Sequence, residues 1–248
     1  MIGKFPDFLG IGAQKAGTTW LHANLAKHPE IFLPKRKELH YFNRKPRILL
    51  SLYKAKFLAS NGRVAGEITP AYGHLPLETV QEIHGHNPEL KLLLMLRNPV
   101  ARAWSGAVME LATFQGLTAK DVPEDAYLEY FQSEHSTART RYTEMLANWD
   151  QCFPKEQLFV GFFDDLKTRP WELLLDVFRH LGVSDEVHPK DFLVKKRILP
   201  VTKNHGVAKT RGTTGDMPAF AAEFLGGMYK DEIAALKARF GAACEGWS

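Results

Sequence analysis

Residues 5–28 read FPDFLGIGAQKAGTTWLHANLAKH, and the order of features within them decides the fold. Phe8, Leu9 and Ile11 make a short apolar run of strand character. A turn holding Gly12, Lys15 and Gly17 follows. A helix then opens on Thr18 and Thr19 and turns Trp20, Leu21 and Leu25 toward the core. A strand feeding a glycine-bearing turn at a helix N-terminus gathers unpaired backbone N–H groups at the positive end of the helix dipole. Lys15 adds a full charge there. The stretch is an anion site, and a phosphate-bearing donor is its expected occupant.

Working outward, the remaining chain supplies a sheet and its helices. Residues 29–34 hold a short extended piece, and residues 35–42 (KRKELHYF) are charged and aromatic. Apolar spacing predicts a helix over 46–60, closed by Asn61-Gly62. A strand is expected over 63–68 and a helix over 75–86 with Pro76 in its first turn. Residues 90–96 are continuously apolar, as in a strand covered on both faces. Pro99 starts the next helix, and further helices are expected at 124–134 and 138–152. Residues 157–163 form another buried strand, and 170–181 a helix closed by Gly182. Residues 192–215 carry Lys195, Lys196, Arg197, Lys203, Lys209 and Arg211 without an acidic residue, and read as a long surface loop, of a length that is usually functional or disordered. A last helix spans 217–240. The alternation predicts one α/β domain over 1–248: a P-loop-like three-layer fold with a mostly parallel sheet. Its ligands belong at the carboxyl ends of the strands.

With 248 residues, 45% hydrophobic and 24% charged, the chain is long enough for a substantial core and ordinary in composition. A net charge of +4 is too small to argue for nucleic acid, yet it suits an anionic small ligand. Cys152 and Cys244 offer neither a disulfide framework nor metal-binding spacing, so a reducing, cytoplasmic setting is expected. No apolar run suggests a signal peptide or a membrane partner.

The obvious alternative is a Walker A nucleotide loop, G-x-x-x-x-G-K-[ST]. Gly12 to Thr19 matches its glycines, but Thr18 stands where the lysine belongs and the lysine is displaced to Lys15. The strongest strand then ends in Arg97, where a Mg²⁺-dependent enzyme needs a carboxylate. A cation there repels metal and attracts a second phosphate. Asp164-Asp165 is the remaining candidate for a metal carboxylate, against the plainer expectation that both residues cap or solvate a turn. The expected ligand is a nucleotide with phosphates at two separate positions, neutralised without metal.

At this point the residues resemble a known family. Lys15-Ala16-Gly17-Thr18-Thr19-Trp20 is similar to the 5′-phosphosulfate loop of sulfotransferases that use 3′-phosphoadenosine 5′-phosphosulfate (PAPS). Arg97-Asn98-Pro99 with Ser105 is similar to their 3′-phosphate motif. Glu67-Ile68-Thr69-Pro70-Ala71-Tyr72 resembles the catalytic-glutamate segment of the heparan sulfate branch, and Lys37-Glu38-Leu39-His40-Tyr41-Phe42 a second segment of that branch. Residues 211–216 resemble part of a late glycine motif of cytosolic sulfotransferases, although Thr210 stands where that motif has a basic residue.

The resemblance implies PAPS as co-substrate, 3′-phosphoadenosine 5′-phosphate (PAP) as product and in-line transfer of SO₃ without metal. It implies donor contacts from Lys15, Ala16, Gly17, Thr18, Thr19, Trp20, Arg97, Ser105, Lys209, Arg211 and Gly212. Lys15 would stabilise the leaving phosphate and Glu67 act as general base, with His40 or His74 as its rival. Lys37, His40, Tyr41, Tyr72 and His74 are expected to line the acceptor site. The acceptor is a hydroxyl or amine on a small molecule or glycan, because the aromatics at 41, 42, 53, 57 and 114 suit an apolar alcohol while the lysines suit an anionic sugar. Two other readings stay open. One is a Mg²⁺-dependent P-loop kinase or NTPase, and the other a non-catalytic polyanion binder using residues 192–215.

Overall fold

The computed structural model describes residues 3–194 and 216–248. The chain divides into two compact units, Met1–Leu96 with Glu144–Ile198 and Arg97–Thr143 with Leu199–Ser248.

The first unit holds the sheet. Its strands are β1 (Phe8–Gly12), β2 (Ile31–Phe32), β3 (Val64–Ile68), β4 (Lys91–Leu96) and β5 (Leu158–Phe162), in the order β2-β3-β1-β4-β5. Every pairing is parallel. β1 is fully buried, with neighbours on both sides: Phe8 pairs with Gly66 of β3 and Lys91 of β4. Gly66 leaves the space the Phe8 ring fills; a Cβ there would collide with it. After β1 the chain builds toward β2 and β3, and after β4 it continues to β5 on the other side. The carboxyl ends of β1 and β4 therefore flank the topological switch point, where ligands of open parallel sheets bind.

The helices, in chain order, begin with α1 (Thr18–Leu25), α2 (Leu50–Lys54), α3 (Leu77–His86) and α4 (Pro99–Ala107). Next come α5 (Glu124–Gln132), α6 (Glu134–Thr137), α7 (Tyr142–Asp150), α8 (Asp165–Thr168), α9 (Pro170–Leu181), α10 (Ala219–Met228) and α11 (Lys230–Phe240). α9 shows how local chemistry sets bounds: Pro170 opens it, Gly182 at φ 75° closes it, and Leu173, Leu174, Val177, Phe178 and Leu181 form its buried face. In the second unit, the Asn98 side chain caps α4 by accepting from the N–H groups of Val100 and Ala101 at 2.9 and 3.3 Å. Its core is aromatic: Trp104 packs on Tyr127 at 4.8 Å between centroids, and Phe131 stacks on Phe224 at 6.1 Å. Glu232 accepts from both the N–H and hydroxyl of Thr143 at 2.8 Å.

Three expectations are corrected. The helix expected over 46–60 is α2 followed by a 3₁₀ turn, Ala55–Ser60, because Leu49 is still extended (ψ 140°). Asn61 does close it, in the left-handed region. The helix expected over 217–240 is two, broken at Tyr229 just after Gly226-Gly227, where backbone entropy disfavours continuation. The helix expected over 138–152 starts at Tyr142, the preceding turn being α6 with the Ser133 hydroxyl as its cap.

Candidate active site

The turn between β1 and α1 is tied to the switch point by the Ala13 N–H, which donates to the Met95 carbonyl at 2.7 Å. Lys15 is left-handed at φ 68°, and so is Gly17 at φ 93°, directly before the helix. Glycine is favoured at 17 by this backbone conformation, and a Cβ there would also press on the tip of the Leu166 side chain. Among the described residues no side chain caps α1, and its first turn holds no acid. The first N–H groups of a helix have no intrahelical partner and suit an anion, and Lys15 lies in the turn that leads into them. Thr18 is buried and Thr19 half-buried. Trp20 is only 7% exposed and its indole N–H donates to the Val194 carbonyl at 3.3 Å. Most of that ring is core.

The segment 37–42 is shaped by two left-handed residues, Glu38 (φ 63°) and His40 (φ 56°). The segment 67–72 holds its backbone: the N–H groups of Leu39, His40 and Tyr41 donate to the Glu67 carboxylate (3.2 Å), the Thr69 hydroxyl (3.4 Å) and the Tyr72 hydroxyl (2.8 Å). The polar side chains of 37–40 stay together above this clasp. Lys37 pairs with Glu38, His40 Nε2 lies 3.4 Å from the other Glu38 oxygen, and His40 Nδ1 lies 3.1 Å from Asn43 Oδ1.

Glu67 lies at the centre of this clasp. Its carboxylate is 2% exposed and accepts from four donors: the Leu39 N–H, the Thr69 hydroxyl at 2.6 Å, the Tyr72 phenol at 2.8 Å and the Tyr53 phenol at 3.1 Å. Burial raises its pKa while these donors oppose the rise. Each oxygen accepts from two of these donors, and the pKa raised by burial makes the group a better proton acceptor. Through the Leu39 N–H, Glu67 also braces the 37–42 segment. Tyr72 is fully buried; its hydroxyl donates to Glu67 and accepts from the Tyr41 N–H. Tyr41 is 9% exposed, stacked on Tyr53 at 4.4 Å, and with Phe42 and Phe57 belongs to an aromatic core rather than an acceptor wall. His74 lies two residues beyond Tyr72, half-buried in the turn leading to α3.

Glu38 is the residue the sequence reading passed over. Its side chain is 38% exposed, against 17% for His40. Burial, the largest single influence, would raise its pKa, but His40 and Lys37 together outweigh it and hold the carboxyl at about 2. The available signal was the acid's position between Lys37 and His40 in a charged segment.

His22, one turn into α1, faces the same group. Burial first, then the Lys37 charge, lowers its pKa to about 4, with Glu38 opposing. α1 and the 37–40 segment are therefore within electrostatic reach of each other. A pH dependence follows. The native state keeps His22 neutral while the unfolded chain protonates it near the ordinary value of 6.5. As pH falls from 6.5 toward 4 the unfolded state binds the extra proton, and stability drops. His180, lowered to about 4 by burial and Lys91, acts in the same direction. Urea midpoints measured across this range should fall, and His22→Gln should flatten the curve; an unchanged curve would remove His22 from this account.

In the second unit Arg97 precedes the Asn98 cap, and Ser105 stands eight residues on, two helical turns into α4 and 4% exposed. Tyr142 is fully buried, and burial pushes its phenol up, opposed by the Arg102 charge and by the backbone and charge of Arg97. The buried Arg102 donates to the Ser136 carbonyl at 3.3 Å. Lys209, Arg211 and Gly212, with the rest of the basic stretch from Lys195 to Gly215, lie outside the described residues. Asp164 is paired with Lys167 at 2.9 Å, and Asp165 with Arg169 through two contacts of 2.9 and 3.0 Å.

A fully parallel sheet with an uncapped helix N-terminus and a lysine turn at its switch point defines a phosphate-handling α/β enzyme of P-loop-like fold. The comparisons narrow the class. The profile of the sulfotransferase domain family matches residues 5–240, and the chain belongs to that family. It is similar to heparan sulfate glucosamine 3-O-sulfotransferase 6 from Mus musculus (31% identity) and Homo sapiens (33%), each over 76% of this chain and 56% of the relative. The chain thus spans just over half the length of these curated relatives. Among solved structures, a sulfotransferase from Alicyclobacillus acidocaldarius covers 95% of both chains at 25% identity and TM-score 0.69. Mouse sulfotransferase SULT7A1, solved in complex with PAP, shares the fold at 17% identity and TM-score 0.52 over 76% of this chain and 61% of that one.

Proposed function

We propose that this chain, as one sulfotransferase domain over 1–248, moves the sulfuryl group of PAPS to a hydroxyl or amine of a glycan or small-molecule acceptor. The observation that carries the reading is the turn at the β1–β4 switch point, with left-handed Lys15 ahead of an uncapped α1. In the transfer the bond from sulfur to the bridging phosphate oxygen breaks, a bond from sulfur to the acceptor atom forms, and the acceptor proton passes to a base. Lys15, the Gly17 N–H and the Thr18 and Thr19 groups suit the charge that grows on the departing phosphate. Arg97 has the planar fork for the 3′-phosphate, with Ser105 as a hydroxyl donor and Lys209, Arg211 and Gly212 as further donor contacts. Two carboxylates compete for the base: Glu67, whose pKa is raised by burial but which four donors enclose, and Glu38, accessible beside His40 and Lys37 but held at about 2 and so a weak proton acceptor.

The names of the relatives favour a hydroxyl on an amino sugar among glycan acceptors. A cytoplasmic setting is kept only as an expectation. Thermal unfolding tests the donor. Adenosine 3′,5′-bisphosphate should raise the midpoint without added metal, and AMP should do so far less. A rise with ATP and Mg²⁺ but none with the bisphosphate would return the kinase reading.

A further inference from the structure

Four of the seven exposed large hydrophobic residues among those described fall within eleven positions: Ile48 (49% exposed), Leu49 (71%), Leu52 (54%) and Leu58 (47%). They share the segment in which α2 and the following 3₁₀ turn bury Tyr53, Phe57 and Ser60 at i, i+4 and i+7. Leu49, Leu52 and Lys56 are exposed along the same stretch. Four exposed aliphatic side chains gathered on one short segment contrast with the scattered single apolar residues of an ordinary surface.

The charge around it is one-sided. From residue 39 to residue 66 the sequence has no Asp or Glu, but has Arg44, Lys45, Arg47, Lys54, Lys56 and Arg63. Arg47 is matched, giving both oxygens of Glu82 a contact at 2.6 Å, and Arg63 lies over the Phe32 ring. Arg44, Lys45 and Lys56 are exposed and in no ion pair among the described residues. Next to them is a hollow of about 340 Å³, where Lys35, Arg36 and Lys56 surround Phe32, Leu33 and Leu39.

We infer that this face docks the protein on an anionic phospholipid bilayer. Ile48, Leu49, Leu52 and Leu58 enter the boundary between headgroups and acyl chains, and the exposed cations, including those around the hollow, meet headgroup phosphates. Charge decides between occupants. Two copies meeting through this face would bring the same uncompensated positive charge together, which opposes a symmetric dimer. Protein interfaces are anchored by Trp, Tyr and Arg in fully desolvated pockets, whereas the apolar groups here are flexible aliphatic ones ringed by lysine and arginine. No helix among the described residues is long and apolar enough to cross a membrane, and docking on a surface needs none. This departs from the expectation of no membrane partner and does not depend on the sulfuryl-transfer reading.

The experiment is co-sedimentation of the full chain with vesicles of phosphatidylcholine alone or mixed with phosphatidylglycerol, at low and high salt. Binding is expected to the mixed vesicles only and to weaken with salt. Both Leu49→Ser/Leu52→Ser and Arg44→Glu/Lys45→Glu should reduce it by about tenfold or more. Light scattering and the thermal response to adenosine 3′,5′-bisphosphate, unchanged in both variants, would show that fold and donor site are intact. No binding, equal binding to both vesicle types, or variants that bind like the parent would overturn the inference. Self-association abolished by Leu49→Ser/Leu52→Ser would also overturn it, by giving the face to a second copy.

Discussion

Replacing Lys15 with alanine is expected to lower kcat/KM for sulfuryl transfer by about 10²- to 10³-fold, the usual cost of removing one donor aimed at charge that develops in the transition state. The lysine stands in the turn leaving the central strand of a parallel sheet, ahead of a helix start without cap or acid. Backbone N–H groups there remain in the variant, so ground-state binding of adenosine 3′,5′-bisphosphate should weaken far less than turnover slows. Lys15 has a positive φ, so alanine also inherits backbone strain. Lys15→Gly separates the two effects, because glycine occupies that conformation freely. Equal loss in both variants assigns the effect to the missing charge. Recovery in the glycine variant would assign it to the backbone, and near-normal kcat/KM in both would remove Lys15 from the chemistry.

Arg97 and Ser105 can be examined the same way through the donor. A ligand without the 3′-phosphate should lose little on Arg97→Ala, while the 3′,5′-bisphosphate should lose most of its thermal effect. That contrast uses the fork geometry of the guanidinium, which a lysine at 97 would restore only in charge.

The strands were legible because burial on both faces leaves a continuous apolar run that few other elements produce. LLLML in β4 is fully buried, as its composition implied. The turn after β1 was legible because its backbone favours glycine at 17 and the hydroxyls follow it directly. What escaped reading depended on partners distant in sequence. Tyr41, Phe42, Tyr53 and Phe57 look like an aromatic pocket in one dimension. In space Tyr41 stacks on Tyr53 and Phe42 packs edge-on to both Tyr53 and Tyr72, which makes them a core. Only the i, i+4 spacing of Tyr53 and Phe57 hinted at this. The two glutamates were indistinguishable for the same reason. How far a carboxylate braces the fold is set by how many donors surround it, and three of the four donors to Glu67 come from Leu39, Tyr53 and Tyr72, which adjoin it only after folding.

The largest contrast expected in this protein therefore lies between Glu38→Gln and Glu67→Gln. If Glu38 is the base, Glu38→Gln should lower kcat by about 10²-fold or more while leaving the response to adenosine 3′,5′-bisphosphate and the unfolding midpoint near those of the parent. Its side chain is 38% exposed and its partners are side chains of the same short segment, so little packing depends on it. Glu67→Gln acts on the fold. The amide replaces one acceptor oxygen with a donor that faces an N–H or O–H already pointing inward, and an unsatisfied buried pair of that kind costs about 1–3 kcal/mol. Its first symptom should be a lowered unfolding midpoint. Its loss of turnover should be partial, through a loosened backbone at 39–41, and the remaining kcat should recover at lower temperature as the clasp re-forms. Glu38→Gln should show no such recovery, because a missing proton acceptor does not return on cooling. If Glu67→Gln proved as stable as the parent yet inactive while Glu38→Gln turned over normally, the base would be Glu67, and the donors around it would have to open on acceptor binding.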